Sequence, residues 1–392
     1  MIYQLSDLEN TKLPKLEDLE AKLGGFESKR ILVRSDLNVP ITNGLIDDDL
    51  RLQESLGTLK WLLERKASVT VCSHLGRPEG QRNDEYSISP VRERLLEFLP
   101  NLELLENLRF NPGEESNDES FVNYLVSGAD GNPFDGYVND AFGASHREHA
   151  SIIGPPKTLP SAAGILLLRE VEVVEKILQE PKRPFLMVLG GAKVSDKLAL
   201  IEKMLDSVDQ MIIGGGMCFT FLVATGVSVG DSLVENEMVD TCRRLLDSKI
   251  PIRLPLDFTA MDSNGEIGNP EVVAEIRQCG SSIPNGLMGL DIGPGSAVEF
   301  SDAIFEAGTV LWNGPMGVFE DPRFSAGTET VARGMADTRA FTFVGGGDAA
   351  FAVKKFGFSD SIDHISTGGG ATLELIEKGD LPGLKVLREG TI

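Results

Sequence analysis

Ile31-Leu32-Val33 runs directly into Arg34-Ser35-Asp36-Leu37-Asn38-Val39-Pro40, and an amphipathic stretch over residues 50–65 follows. The apolar run is short and β-branched, as suits a strand covered on both faces; the stretch after it has helical spacing. Strand, charged loop, helix is one half of a βαβ unit, and the pattern recurs outward from this point. In the first half, runs at 31–34, 69–73, 102–105 and 137–139 alternate with helical segments such as 50–65 and 89–99. In the second half the runs fall at 185–189, 210–213, 287–292, 309–312, 341–344 and 364–366, with helical segments at 195–205, 271–278 and 371–378. The expected fold is α/β, with two doubly wound parallel-sheet (Rossmann-like) domains. A helical segment over 162–179, stopped by Pro181 and Pro184, reads as the connecting hinge helix.

At 392 residues the chain is long enough for two cores. Sixty acidic residues against 37 basic ones give a net charge of −23, which disfavours a nucleic-acid surface. Against that background any gathered arginines must hold positive potential inside a negative envelope. Cys72, Cys218, Cys242 and Cys279 show no metal-ligand spacing and no disulfide framework. The first residues, Met1-Ile2-Tyr3-Gln4, lack the basic and apolar regions of an export signal, and no apolar run is long enough to span a bilayer. A cytoplasmic protein without membrane or nucleic-acid partners is the expectation.

Open parallel sheets bind ligands beyond the carboxyl ends of their strands. In the first half those ends carry cations: Arg34; His74 and Arg77; Arg109; and His146 with Arg147, while Arg51 opens the first long helix. Guanidinium forks match phosphate and carboxylate oxygens, so this edge reads as an anion site. In the second half the ends carry glycine: Gly190-Gly191, Gly214-Gly215-Gly216, Gly293-Pro294-Gly295, Gly314-Pro315, Gly345-Gly346-Gly347-Asp348 and Gly368-Gly369-Gly370. Glycine lets backbone N–H groups approach a ligand, and a helix starting there adds its positive end, so these ends read as a polyphosphate cradle. Lys193 and Lys197 are spaced to share a helical face, toward phosphate or solvent. There is no Walker A sequence, and Gly345-Gly346-Gly347-Asp348-Ala349-Ala350 sits too late for a first βα turn.

With these blocks in order, the sequence resembles the phosphoglycerate kinase family nearly end to end. The resemblance rests on Val33-Arg34-Ser35-Asp36-Leu37-Asn38-Val39-Pro40, Ser73-His74-Leu75-Gly76-Arg77-Pro78, Glu106-Asn107-Leu108-Arg109-Phe110 and Asn139-Asp140-Ala141-Phe142. It continues through Leu189-Gly190-Gly191-Ala192-Lys193-Val194, the block from Trp312 to Glu320, Gly345-Gly346-Gly347-Asp348 and Ser366-Thr367-Gly368-Gly369-Gly370. The resemblance implies reversible phosphoryl transfer between ATP and the carboxylate of 3-phosphoglycerate, with ATP/ADP and Mg²⁺ as cofactors, in a monomer. It implies that residues 1–171 and 379–392 form the phosphoglycerate domain and 172–378 the nucleotide domain. Substrate would be held by Arg34, Asp36, Asn38, Arg51, His74, Arg77, Arg109 and Arg147. Nucleotide would be held by Lys197, Gly289, Asn313, Glu320, Gly345, Gly346, Gly347, Asp348 and Ala349.

A carboxylate nucleophile is already ionised at neutral pH, so no general base is needed, and the obstacle is repulsion between two anions. Arg51, Lys193, Lys197 and the N–H groups around Gly346 and Gly369 are the expected stabilisers of the transferring group, with Asp348 on the metal and hinge closure excluding water. Arg51 could instead pair with Asp47 or Asp48, and Asp348 could instead cap a helix. Ala349 replaces the family's usual Thr or Ser and so lacks one hydroxyl. Ser35, Leu37, Arg169 and Gly295 depart as well, without removing an assigned charge. Two rival readings are a nucleotide-sugar-dependent transferase on two Rossmann-like domains and a non-enzymatic anion-binding module.

Overall fold

The structure, a computed structural model, describes residues 12–269 and 274–390. The N-terminal segment, read as carrying no export signal, lies largely outside the described residues, and 270–273 and 391–392 also lie outside them. The chain divides into two compact units, Met1–Val174 with Gly370–Ile392, and Glu175–Gly369.

The first unit is built on a parallel sheet of strands β1 (Arg30–Ser35), β2 (Ser68–Cys72), β3 (Glu103–Leu104), β4 (Gly136–Asp140) and β5 (Ser161–Ala163). Their spatial order is β3-β2-β1-β4-β5. Every residue of β4 and all but the first of β1 are buried, as a sheet covered on both faces demands. Helix α1 (Leu50–Glu64) buries Leu52, Leu56, Leu59 and Leu62, one stripe at helical spacing. That stripe joins Ile31, Val33, Val71 and Val138 in one core. The strand order reverses between β1 and β4, so the loops after them flank the crevice where such sheets hold ligands.

The expected helix over 162–179 starts later. Residues Ser161–Ala163 form the edge strand β5, and α2 spans Ile165–Gln179. Side chains from elsewhere fix its first turn: Thr58 Oγ1 accepts from the Ile165 N–H at 2.8 Å, and Asp140 Oδ1 from Leu166 and Leu167 at 3.0 and 3.3 Å. Burial pushes the Asp140 carboxyl up to about 7.

The second unit carries a parallel sheet of β6 (Phe185–Leu189), β7 (Gln210–Ile213), β8 (Ile252–Arg253), β12 (Thr309–Asn313), β13 (Phe341–Gly345) and β14 (His364–Ile365), in the order β8-β7-β6-β12-β13-β14. Its reversal point lies between β6 and β12. A three-stranded antiparallel sheet is inserted, with β9 (Phe258–Asp262) between β10 (Ile276–Cys279) and β11 (Leu287–Ile292). Two expectations are thereby corrected. The run at 287–292 is not part of the parallel sheet. Residues 276–278, expected within a helix over 271–278, belong to the strand Ile276–Cys279, with Thr259 opposite Gln278 and Met261 opposite Ile276; 271–273 lie outside the described residues. Helices α3 (Leu198–Met204), α4 (Pro294–Glu306), α5 (Ala326–Asp337) and α6 (Gly347–Lys355) belong to this unit.

The chain then returns to the first unit. Helix α7 (Gly370–Lys378) and the last helix, Pro382–Glu389, both group there, and the Gly383 N–H donates to the Ser145 carbonyl at 2.9 Å. The divisions thus fall at Val174 and Gly370, in place of the sequence-based 171 and 379.

Candidate functional sites

In the first unit the β1, β2, β3 and β4 ends bring most of the expected cations together. Arg51, in the first turn of α1, places Nη1 3.0 Å from Asp36 Oδ2 and 3.2 Å from the Asn38 carbonyl. Asn38 Oδ1 accepts from the Gly76 N–H at 2.8 Å and so ties the β1 loop to the β2 loop. Arg109 is buried; its Nη1 donates to the Gly76 carbonyl at 2.7 Å and its Nε lies 3.1 Å from Glu115. Arg77 is exposed and Arg147 half-buried, and among the described residues neither guanidinium has a protein partner.

The histidines sit inside this positive field. Burial, then the Arg34, Arg109 and Arg51 guanidinium groups, hold His74 well below the usual imidazole range. Burial and the Arg109 and Arg147 charges bring His149 down to about 3. His146 is also lowered, by burial first and Arg147 second. All three rings are therefore neutral near pH 7.

Arg34 departs from the expectation of a substrate contact. It is fully buried, and its guanidinium is used on Ser151, Ser35 and His74. A strand-end arginine looks the same in sequence whether it faces the crevice or the layer behind it. Ser151, which holds it, and Glu114, which holds Ser151, lie in the short helices Ala150–Ile153 and Pro112–Glu115; the acidic run at 113–118 reads in sequence as a solvated loop, yet Glu114 is fully buried.

In the second unit the glycine-rich ends do three different things. Gly190, Gly215 and Gly314 serve loop-on-loop packing. Gly215 has φ +61°, and a Cβ there would lie 2.6 Å from the Gly191 nitrogen and 2.8 Å from the Pro315 oxygen. Gly293 and Gly295 surround a carboxylate of the protein itself, which corrects their reading as a phosphate cradle. Asp257 accepts from the Gly295 and Ser296 N–H groups at 2.9 and 2.7 Å, filling the start of α4. Gly347 and Gly369, by contrast, have open space where a side chain would stand.

Lys193 and Lys197 do not share a helical face: α3 begins only at Leu198, and the preceding loop carries both lysines. Glu235 braces that loop, accepting from the Val194 and Ser195 N–H groups at 2.6 and 3.2 Å. Lys193 is exposed. Lys197 Nζ donates to Asn313 Oδ1, and Asn313 Nδ2 donates to the Gly345 carbonyl at 2.7 Å, so three expected residues form one chain. Gly346, at φ +89°, is the cap of α6, and Asp348 is the second residue of that helix. Asp348 is therefore not the cap. Ala349 is fully buried in the core, so its methyl faces no ligand and only its backbone remains available.

A cavity of about 510 Å³ opens beside these loops, lined by Gly289, Glu320 and Asp348 among others. Its other wall is apolar, with Phe219, Leu233, Met288, Leu290 and Val318. Sequence reasoning missed this wall. The helix Met217–Ala224, apolar except for Thr220, reads as ordinary core. A phosphate-directed glycine edge beside an apolar slot suits a molecule with a flat base at one end and phosphates at the other.

Among the described residues no three His, Cys, Asp or Glu side chains are grouped to hold a metal. Asp348 is exposed, lines the cavity and has no hydrogen bond or ion pair among them. One free carboxylate beside a phosphate site fits a magnesium ion held mostly by phosphate oxygens and water. No helix of the described residues is long and apolar enough to cross a membrane.

Comparison with known proteins identifies the family. The family profile described as phosphoglycerate kinase matches residues 21–103 and 101–379. The phosphoglycerate kinase of Rubrobacter xylanophilus is 44% identical, with 95% of this chain and 98% of the relative covered. That of Salinispora tropica is 46% identical over the same shares. Among solved structures, phosphoglycerate kinase from Coxiella burnetii superposes with a TM-score of 0.84 at 35% identity, covering 96% of this chain and 99% of that one. The enzyme from Pyrococcus horikoshii gives 0.79 at 29% identity, covering 96% and 98%. Neither the glycosyl-transfer reading nor the binding-module reading is favoured by such matches. Two reversal-point crevices, one lined with arginine and one with glycine, together with full-length similarity of this order, mean that the chain belongs to the phosphoglycerate kinase family.

Proposed function

We propose that the protein moves a phosphoryl group reversibly between ATP and the carboxylate of 3-phosphoglycerate, the acid held by the first unit and the nucleotide by the second. The observation that carries this is a set of cations left unspent in the first unit. Arg77 and Arg147 have no protein partner among the described residues, beside Arg109 and neutral His74. A protein with a net charge of −23 has no structural use for such a cluster, whereas a phosphorylated acid neutralises it. Asp36 and Asn38 hold Arg51 at the rim of the same group.

In the second unit the apolar wall takes the base. Lys197, Asn313 and the N–H groups at the start of α6 face the phosphates, Gly289 and Glu320 line the slot, and Lys193 is free to reach the transferring group. Asp348 would hold Mg²⁺, which supplies charge neutralisation between phosphate oxygens when bound. No proton has to be removed, since the acid attacks as its anion. Arg51 in the first unit, and Lys193 and Lys197 in the second, are the cations that would counter the negative charge of the transferring group. The reading includes a monomer in a reducing cytoplasm, which four free, buried cysteines suit.

A coupled assay with 3-phosphoglycerate and MgATP tests the reading, and absence of turnover with a folded protein would reject it. For the metal, Asp348→Ala is expected to weaken Mg²⁺-nucleotide binding by about tenfold or more, the order of one lost charge-assisted contact, with near-normal thermal stability. Exposure makes that separation clean, because among the described residues the carboxylate has no hydrogen bond or ion pair, and its place in the first turn of α6 is worth only about 0.3–1 kcal/mol. Unchanged nucleotide affinity in titration calorimetry would remove Asp348 from the metal.

A further inference from the structure

Arg34 does work that its burial hides. Its Nε donates to Ser151 Oγ at 2.8 Å, another N–H goes to the Ser35 carbonyl, and Nη2 stands 3.1 Å from His74 Nδ1. Ser151 is gripped in turn by Glu114, its Oγ at 2.7 Å from Oε1 and its N–H at 3.0 Å from Oε2. Arg34, Ser151 and Glu114 are all completely buried.

A guanidinium has donors and no acceptor, and it does not lose its proton inside a protein. At 3.1 Å the imidazole Nδ1 must therefore accept. A neutral ring accepting at Nδ1 carries its one proton on Nε2. A doubly protonated ring would set two N–H donors against each other. The neighbours from every side act in the same direction: Arg34 on β1, Arg51 on α1, and Arg109 and His149 on the loops beyond. Glu114 backs Arg34 through Ser151, and its Oε1 also lies 3.8 Å from His149 Nδ1.

We propose that Arg34, backed by Ser151 and Glu114, is a positioning residue that fixes His74 as a neutral Nε2–H donor to the anionic substrate. His74 then contributes a directed hydrogen bond, and the charge is left to Arg77, Arg109 and Arg147. The inference rests on the reading of the first unit as the phosphoglycerate site.

Heteronuclear NMR of the imidazole nitrogens in the full chain tests it, with His74→Gln assigning the ring. In the unaltered protein Nδ1 is expected to be unprotonated and Nε2 protonated, and 3-phosphoglycerate is expected to shift Nε2–H. In Arg34→Met the ring is expected to populate both tautomers, with KM for 3-phosphoglycerate rising about tenfold and KM for ATP nearly unchanged, the scale of one lost directed hydrogen bond. Ser151→Ala, a smaller change, is expected to move both readouts in the same direction and serves if Arg34→Met does not fold. A proton on Nδ1 in the unaltered protein, or an unchanged ring in the folded variants, overturns the proposal. An unaltered ring that ignores 3-phosphoglycerate while the enzyme turns over removes the donor role. The same silence with no turnover and no binding rejects the reading of the site itself, and the inference with it.

Discussion

Arg51→Ala is expected to lower turnover by at least about 10²-fold, the order seen when one preorganised donor to a developing charge is lost. The geometry makes this a clean experiment. The Arg51 side chain is 31% exposed, and its ion pair is with Asp36, which is 8% exposed. Losing a pair at the surface costs about 0–1 kcal/mol, and the burial of Asp36 adds to that without threatening a domain of this size. Arg51→Lys keeps the charge and loses the paired donors, so it should recover activity only in part. Steady-state rates beside a thermal melt decide the matter. A fall under about threefold with the melt unchanged, far short of a lost transition-state donor, would reduce Arg51 to a structural ion pair.

Gly215→Ala should act through the fold. Its φ of +61° already costs a side-chain-bearing residue about 1–2 kcal/mol. The added Cβ would also lie within 2.6–2.8 Å of three backbone atoms, the Gly191 nitrogen and oxygen and the Pro315 oxygen. Backbone cannot rotate aside as a side chain can, and overpacking of that kind costs about 1–3 kcal/mol. The expected loss is then about 2–5 kcal/mol, or a Tm fall of roughly 4–20 °C at 2–4 °C per kcal/mol. Because these loops carry Gly191 and Pro315 beside the cavity, nucleotide affinity should fall with it. A melt within about 2 °C of the unaltered protein would show that the loops can part cheaply.

The fold was legible because its signals are local and repeated. Val33, Val71 and Val138 lie in runs too short for helices and too apolar for loops, and each meets a charged or glycine-rich turn. What stayed hidden is whatever depends on a distant partner. The strand at Ile276–Cys279 has polar residues and exists because β9 offers a ladder. The helix start at Ile165 is set by Asp140 and Thr58, neither adjacent in sequence. At the sites, residue type suggested which side chains to look for, as with Arg51, Arg109 and Asn313, and the structure gives each a place at a strand end or helix start. Residue type did not announce direction. Arg34 faces inward, Ala349 lies in the core, and Lys193 sits in a loop where spacing alone suggested a helix.

The carboxylate of Asp257 at the head of α4 has a further bearing on selectivity. A sheet with several glycine-started helices risks offering an anion several berths of similar quality. By seating its own side chain on the Gly295 and Ser296 amides, the chain uses up those donors itself, so a foreign anion meets a like charge at this helix start.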